Sequence, residues 1–456
     1  MRTDRRRFLQ IAAVVAASAT ATCGRTDSGG SGAGASAARP PDSKPSEPQS
    51  SSADAQRLAT ARRILKEAPL VDGHNDLAEQ IRERFENRLD RLDFRGGTEK
   101  LTPPTQTDAP RLRAGGIGGV FLSAFVPASE SGPGAPQYLL EQMDVIDRLV
   151  ERYPDVLGRA RTAADVQSVH RSGRVAVLIG IEGGYAIHNS LAVLRQAYAG
   201  GARYLTLTHV KHTDWADAAI WPGYGEDKPR HHGLTPFGRE VVREMNRLGM
   251  LVDLSHVADE TMRAAIETSQ APVIFSHSGA RAVCDHGRNV PDDALRALSA
   301  KGGLVMVDFV PFILSDGAKD WDARLATPEW GRLERLYPKD RPRASAEYLA
   351  WVERNPPPRT SVTVVADHID HIRNVAGIDA VGIGSDFDGS ESFPDGLEDT
   401  SCFPRLLAEL LRRGYSEQDV KNVAGLNLLR VFRQAEQVAA RLQKERGPSD
   451  ARISDR

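Results

Sequence analysis

Residues 175–184 read VAVLIGIEGG, an unbroken apolar run that stops at Glu182 and two glycines. Continuous apolar character without alternation is typical of a strand that is covered on both faces of a parallel sheet. Similar runs recur at 69–73, 119–126, 204–208, 251–254, 272–275, 304–309 and 380–384, with amphipathic stretches of helical period such as 236–248 between them. Eight such units predict an α/β fold, a TIM-like (β/α)8 barrel.

Polar residues stand at the ends of six of these runs. The ends are His74-Asn75-Asp76, Glu182-Gly183-Gly184, His209, Ser255-His256, Ser276-His277 and Ser385-Asp386. In a barrel of this kind the C-terminal ends of the strands converge on one mouth, where active sites lie. Buried imidazoles and carboxylates cost free energy that apolar side chains would not cost, so these strand ends predict a functional site.

The types of residue at these ends are those of a metal site. His74 and Asp76 are two positions apart, so on a strand both side chains point to the same side and can reach one ion. With Glu182, His256 and His277 they offer three imidazoles and two carboxylates, which zinc accepts as ligands. Five ligands suffice for two Zn²⁺ ions per chain if Glu182 bridges them, and such a pair can hold a hydroxide and polarise a scissile carbonyl.

Eight short motifs follow one another along the chain. They are VDGHND (71–76), GIEGG (180–184), LTLTH (205–209), WAD (215–217), DLSHV (253–257), PVIFSHS (272–278), RNVPDD (288–293) and GSDFDG (384–389). In this order they resemble the membrane (renal-type) dipeptidase family, peptidase family M19, whose members are metallopeptidases of the amidohydrolase superfamily. The resemblance covers about residues 60–435.

The resemblance implies a ligand set for each of two zinc ions. His74, Asp76 and Glu182 would bind one ion, and Glu182, His256 and His277 the other. It also implies that the enzyme is a dipeptidase that uses a metal-bridging hydroxide on small dipeptides, including those with a D-residue at the C-terminal position. Two alternatives stay open at this point: an amidohydrolase for another small amide or a lactone, and a non-catalytic zinc-binding surface lipoprotein.

Three further residues receive roles from the resemblance. His209 would contact the tetrahedral intermediate, Arg288 the substrate carboxylate, and Asp386 would transfer protons, so the catalytic residues would be Asp386 and His209 and all three would bind substrate. The chemistry of the residues agrees, since a carboxylate at a strand end can move a proton between water and a leaving amine. The planar guanidinium of Arg288 suits a carboxylate. Asp388 is the alternative to Asp386.

The N-terminus reads as a targeting segment. In residues 1–23, Arg5 and Arg6 precede Phe8-Leu9 and an apolar run, which predicts a twin-arginine export signal, with an ordinary secretory signal as the alternative. Cys23 ends the run where a bacterial lipoprotein is lipidated, although 19–21 (ATA) also fits simple secretion. We therefore expect an exported protein of the bacterial cell envelope or extracellular space, which contacts membrane only through a lipid anchor at Cys23.

Composition predicts how the rest of the chain is organised. Residues 24–58 are rich in Ser, Gly and Pro and predict a disordered linker, residues 59–435 the barrel, and residues 436–456 a polar tail. The stretch 310–359 is too long for an ordinary connection and is expected to be an inserted loop region at the catalytic mouth.

Charge and cysteine content exclude some classes of protein. Lys and Arg (59) nearly balance Asp and Glu (61), so nothing favours nucleic acid as a partner. Three cysteines exclude a disulfide-rich scaffold and a four-cysteine zinc site. A Cys284–Cys402 bridge and a homodimer stay open. His368 and His371 lie on a predicted barrel helix and are assigned to packing or the surface, and not to metal.

Overall fold

The computed structural model describes residues 52–455 except 102, 222–227, 339 and 391. The predicted export signal at 1–23, with Cys23, and the predicted linker up to residue 51 lie outside the described residues. Across the described part of the chain, no helix has both the length and the apolar character needed to span a bilayer.

Parallel strands form the centre of the structure. Their bounds are β1 (Leu70–Asn75), β2 (Ile117–Phe125), β3 (Leu157–Arg159), β4 (Val175–Glu182), β5 (Ala202–Thr206), β6 (Leu251–Asp253), β7 (Ile274–Ser278), β8 (Leu304–Val307) and β9 (Val381–Ile383). The strands follow the order β1-β2-β4-β5-β6-β7-β8-β9, and β3 pairs with β4 outside this path. A parallel bridge from Asn75 to Phe387, which follows β9, joins the two ends of the sheet. The predicted (β/α)8 barrel is confirmed.

Helices alternate with the strands. Their bounds are α1 (Ser52–Glu67), α2 (Leu77–Phe85), α3 (Ala109–Gly115), α4 (Ala135–Arg152), α5 (Ala163–Arg171), α6 (Leu191–Gly200), α7 (Pro236–Leu248), α8 (Asp259–Thr268), α9 (Asp292–Ala300), α10 (Pro311–Leu314), α11 (Asp316–Trp321), α12 (Thr327–Leu336), α13 (Arg341–Arg354), α14 (Val362–Ala376), α15 (Phe403–Arg412), α16 (Glu417–Lys421) and α17 (Asn427–Glu445). The cap signals are conventional: the Thr235 side chain accepts from Gly238 N at the start of α7, and Gly249 ends it in a left-handed conformation.

Strand bounds differ from the predicted runs by a few residues. β1 extends through His74 and Asn75, because pairing with β2 continues past the apolar residues. β7 begins at Ile274 and not at Pro272, consistent with a proline that has no N–H for a sheet ladder. β3 was not predicted, since three residues containing an arginine carry no recognisable period.

The stretch 310–359, predicted to be an inserted loop region, consists largely of helices. It contains α10 to α13, with a π-helical segment at Asp322–Ala326 between α11 and α12. Ser315 caps α11 by accepting from Ala318 N, and Asp340 caps α13 by accepting from Arg343 N. These caps supply acceptors for backbone N–H groups that a helix start leaves unpaired, and prolines fall within the first turns of α12 and α13.

Both outer boundaries of the barrel also move. α1 begins at Ser52, inside the stretch assigned to the linker, and buries Ile64 and Leu65. α17 continues to Glu445, ten residues past the expected boundary, and buries Ala439 and Leu442. The following segment is held by Glu244, which accepts from Ser449 N. The core therefore includes residues that polar composition had assigned to the two ends.

The last helix covers the N-terminal ends of the strands, away from the polar strand ends. Arg430 of α17 donates to the carbonyls of Gly302 and Asp379, which precede β8 and β9. The sulfhydryls of Cys284 and Cys402 are free and buried, so the bridge that the sequence left open is absent from the structure.

Candidate metal centre and active site

β1 and the turn after it place His74 and Asp76 beside Glu182. The Nε2 atom of His74 lies 3.3 Å from Asp76 Oδ2 and 3.4 Å from Glu182 Oε2. Glu182 is the last residue of β4, and Asp76 stands at the start of α2. These side chains are almost fully buried. The structure thus brings together the three residues predicted to bind the first ion.

The second carboxylate oxygen of Glu182 faces the other two histidines. Oε1 lies 3.0 Å from His256 Nε2 and 3.4 Å from His277 Nε2. The two Nε2 atoms are 2.9 Å apart. His256 follows β6 with a left-handed backbone (φ 66°), an uncommon conformation for a residue with a side chain. All five predicted ligands therefore lie close together. Glu182 stands between His74 and Asp76 on one side and His256 and His277 on the other.

The chemistry of this cluster fits a cation. His74 Nε2 and Asp76 Oδ1 are buried without a hydrogen-bond partner. Although burial lowers it, the nearby Tyr204, Asp76 and Glu182 raise the pKa of His74 well above its ordinary value, so the surroundings favour positive charge. Ligand atoms of His74, Glu182 and His277 lie within 4.8 Å of one another, as do those of Glu182, His209 and His256. Imidazole nitrogens and carboxylate oxygens at this spacing can hold metal ions.

Two of the histidines are fixed in orientation by hydroxyl groups behind them. The Nδ1 atom of His74 lies 2.8 Å from the Tyr204 hydroxyl, and Nδ1 of His277 lies 2.8 Å from Ser276 Oγ. Ser276 in turn donates to Asp253 Oδ2 at 2.7 Å. Such outer contacts leave Nε2 directed into the site. The sequence analysis gave Tyr204 and Ser276 no role in orienting the histidines, although Ser276 directly precedes the predicted ligand His277.

Asp72 is a further buried carboxylate, and it holds the segment that follows the last strand of the barrel. Asp72 of β1 accepts from Ser385 N at 2.7 Å and from Ser385 Oγ at 2.6 Å. Asp386 N donates to His74 O at 3.1 Å. Asp386 therefore sits beside the candidate metal ligands with a left-handed backbone (φ 59°), a conformation that is held by neighbours on both sides.

Asp386 is the carboxylate that faces the opening. Its side chain is 16 % exposed, and its Oδ1 lies 4.0 Å from His74 Nε2. Burial, together with Asp308 and Asp76, raises the pKa of Asp386 well above its ordinary value. Gly389 lies over Asp386 and Asp76, and a methyl group at this glycine would collide with both carboxylates. Gly389 was not singled out by the sequence analysis.

His209 and Arg288 both border the histidine pair, His209 against His256 and Arg288 against His277. The His209 side chain is 19 % exposed, and its Nε2 lies 3.8 Å from Glu182 Oε1. Burial lowers the pKa of His209 to about 4, so the ring is neutral near pH 7. Arg288 is buried and donates from Nη2 to His277 O at 3.0 Å, whereas its Nε has no hydrogen-bond partner. Both residues therefore border the cluster with groups free to meet a ligand.

The remaining candidates have structural partners elsewhere. Asp388 Oδ1 accepts from Gln106 N at 2.7 Å, so this carboxylate anchors a loop. His368 accepts from Ala280 N at Nδ1 and lies with Nε2 3.0 Å from Leu314 O. His371 Nε2 lies 2.7 Å from Asp292 Oδ1. The two helix histidines are thus packed against protein groups, as expected.

Imidazoles and carboxylates gathered at the C-terminal ends of the strands of a parallel barrel define a metal-dependent hydrolase. The comparison with known proteins then gives the family. The family model for membrane dipeptidase (peptidase family M19) matches residues 58–446, and the chain belongs to this family of metallo-dipeptidases.

Relatives and solved structures agree with this assignment. Dipeptidase 3 of Rattus norvegicus is 43 % identical over 381 residues, which are 82 % of this chain and 67 % of that protein. Dipeptidase verJ of Clonostachys rogersoniana is 41 % identical over 397 residues, 85 % of this chain and 89 % of the relative. A metallo peptidase from Rhodobacter sphaeroides, solved with a phosphinate mimic of the dipeptide L-Ala-D-Ala, gives a TM-score of 0.63 at 25 % identity, over 81 % of this chain and 99 % of that one. The probable dipeptidase PvdM from Pseudomonas aeruginosa shares the fold, with a TM-score of 0.70 at 23 % identity over 84 % and 100 % of the two chains.

Proposed function

We propose that this chain is a zinc dipeptidase that cleaves small dipeptides, including those with a D-residue at the C-terminal position. The observation that carries the proposal is the buried guanidinium of Arg288 beside the five residues proposed as metal ligands. The nearby ligands are suited to activating water, and the guanidinium is suited to a free carboxylate.

The ligand assignment rests on the two oxygens of Glu182. Oε2 faces His74 and Oε1 faces His256 and His277, as expected of a carboxylate that bridges two ions. His74, Asp76 and Glu182 would hold one Zn²⁺, and Glu182, His256 and His277 the other. When bound, the ions supply Lewis acidity that polarises a carbonyl and eases the deprotonation of water.

Arg288 and His209 would orient the substrate. The unpartnered Nε of Arg288 would meet the C-terminal carboxylate, and this contact limits the substrate to one residue beyond the scissile bond. His209, which is neutral, partly exposed and in contact with His256, would donate to the oxygen of the tetrahedral intermediate.

Asp386 would transfer the proton. It is partly exposed beside His74, where it would meet both an attacking water and the departing nitrogen. Its raised pKa favours uptake of a proton, which the same carboxyl group would then return to the departing nitrogen.

The acceptance of a D-residue is supported by a related structure, whereas export, lipid anchoring and dimerisation are supported by the sequence alone. The Rhodobacter sphaeroides metallo peptidase was solved with a mimic of L-Ala-D-Ala, which supports acceptance of a D-residue here. The export signal at 1–23, the lipid anchor at Cys23 and a homodimer remain proposals from the sequence, as does an envelope or extracellular location.

A panel of dipeptides tests the proposed function. Purified enzyme should contain zinc and release free amino acids from L-L and L-D dipeptides. A chelator should abolish the release, and added Zn²⁺ should restore it. Cleavage of small amides or lactones with no turnover of any dipeptide would replace this proposal with the broader amidohydrolase function.

A further inference from the structure

Asp308 is a buried carboxylate at the mouth of the barrel to which the proposed function gives no role. It directly follows β8 and is fully buried. Its Oδ1 accepts from Val310 N at 2.7 Å, which fixes the side chain, whereas Oδ2 has no hydrogen-bond partner. A buried carboxylate oxygen without a donor is unfavourable, and a donor on a bound ligand would relieve this cost.

The neighbours of Asp308 define the region that such a ligand would occupy. Its carboxylate, the carboxylate of Asp386 and a ring nitrogen of His277 fall within 4.8 Å of one another. Arg288, which donates to the carbonyl of the same His277, also has an unpartnered nitrogen in this buried region. A free acceptor and a free donor therefore border the region between Asp386 and Arg288.

A dipeptide that is held as proposed places one specific atom in this region. Its C-terminal carboxylate lies on Arg288, and its reacting carbonyl lies near Asp386. The scissile nitrogen connects the two, since only one carbon separates that nitrogen from the carboxyl group. In this arrangement the nitrogen of the leaving group would lie beside Asp308, which neighbours Asp386.

We propose that Asp308 is a further catalytic residue, whose Oδ2 accepts a hydrogen bond from the scissile N–H and then from the same nitrogen once Asp386 has protonated it, before it departs as an amine. This inference rests on the proposed function of Arg288 and Asp386. The C–N bond breaks as the nitrogen takes the proton that Asp386 delivers, and Asp308 keeps its own protonation state throughout.

The contact grows stronger along the reaction. The amide nitrogen is nearly neutral in the bound substrate and becomes positive as it is protonated, so a carboxylate beside it stabilises the transition state more than the ground state. An ester or lactone offers an oxygen there, with no hydrogen to donate and with negative charge developing on departure. Asp308 therefore selects peptides over esters and lactones.

The test compares Asp308→Asn on a peptide and on its ester analogue. For alanyl-alanine we expect kcat/KM to fall roughly 10- to 100-fold, mainly through kcat, as for loss of a charge-assisted hydrogen bond. For alanyl-lactate, which has the same carboxylate but an ester oxygen, we expect an unchanged or higher kcat/KM. Zinc content should equal that of wild type. Asp322→Asn is the matched control: this buried aspartate accepts from Thr327 Oγ1, and its loss should leave the peptide-to-ester ratio unchanged.

Each other outcome overturns a defined part of the inference. Equal losses of kcat/KM on the peptide and the ester would show that the role of Asp308 is structural. Loss of zinc from the variant would show that Asp308 is a metal ligand. If wild type cleaves alanyl-alanine through Arg288 while Asp308→Asn behaves like wild type on both substrates, only the role of Asp308 is lost. Failure of wild type to cleave any dipeptide would instead remove the proposed function itself.

Discussion

His256 and His277 direct their Nε2 atoms at one another across 2.9 Å, and both atoms face Oε1 of Glu182. At His277 the other ring nitrogen lies against Ser276 Oγ, which makes Nε2 the atom offered to the site. Two imidazole nitrogens converging on one carboxylate oxygen leave little room for ordinary hydrogen bonds among all three. A cation placed between the two nitrogens and the oxygen would take all three atoms as ligands.

We predict two zinc ions per chain in the purified protein, because five ligands exceed what one four-coordinate ion with an open position needs. Glu182→Gln should retain at most one ion and lose activity, since a neutral amide cannot bridge two cations. Glu244→Gln, which removes a buried carboxylate paired with Arg247, should retain both ions. Elemental analysis decides the point, and at most one ion in active wild-type enzyme would contradict it.

Asp386→Asn should keep the zinc content while kcat falls by roughly 10²-fold or more, as for loss of a general acid and base. The matched change Asp388→Asn removes a carboxylate two residues away whose Oδ1 accepts from Gln106 N, and it should leave turnover near that of wild type. Steady-state kinetics on one dipeptide compares the two. Near-normal turnover in Asp386→Asn would show that another group transfers the proton.

The barrel, and the gathering of the five candidate ligands at its mouth, could be predicted because both follow from signals that are local in sequence. The run 175–181 predicts a buried strand, and Glu182 directly after it marks the polar end of that strand. The spacing of His74 and Asp76 alone predicts that both side chains point to the same side. Strand ends of a parallel barrel meet at one mouth, so no long-range information was needed to bring the ligands together.

The contacts that orient those ligands depend on tertiary structure. Tyr204 reaches His74 across 130 positions, and no periodicity signals this pairing. The helices within 310–359 were missed because their stripes are short and carry aromatic and charged residues in mixed order. The end of α17 was placed too early because its exposed face is strongly charged, although Ala439 and Leu442 continue the buried stripe.

Gly389→Ala tests the packing over Asp386 and Asp76. The added methyl group would collide with both carboxylates, so one of them must shift, and misplacement by about 1 Å can cost roughly 10²-fold in rate. We expect kcat/KM to fall by about 10-fold or more with an unchanged melting temperature, since residue 389 is exposed. Gly132→Ala, where the methyl group meets open space, should behave as wild type. Full activity in Gly389→Ala would show that the carboxylates tolerate the displacement.

His368 should make the folded state sensitive to acid. Its Nδ1 accepts from Ala280 N, and burial lowers its pKa to about 4, whereas the unfolded chain has a histidine pKa near 6.5. Below pH 6.5 only the unfolded state takes up this proton, so the contribution of His368 to stability is complete above pH 6.5 and is lost as the pH falls toward 4.

Between pH 7 and pH 5 this loss amounts to about 2 kcal/mol. His368→Asn keeps an acceptor for Ala280 N but cannot be protonated, so its free energy of unfolding should fall by about 2 kcal/mol less over the same interval. Urea unfolding at the two pH values measures the difference. Parallel pH dependence in the two proteins would show that His368 is protonated in the fold.

Arg288 determines which substrates fit. If its guanidinium binds the C-terminal carboxylate, an amidated dipeptide loses a charge-assisted hydrogen bond of about 1.5–3 kcal/mol, and kcat/KM should fall roughly 10- to 100-fold. Arg288→Ala should cost a similar factor on the free dipeptide and should largely abolish discrimination against the amide, because the two changes remove the same contact. Arg263→Ala, which removes a surface arginine paired with Asp293, should retain the discrimination. Efficient cleavage of the amidated dipeptide by wild type would show that Arg288 does not read the carboxylate, and the pocket would then admit amides of other kinds.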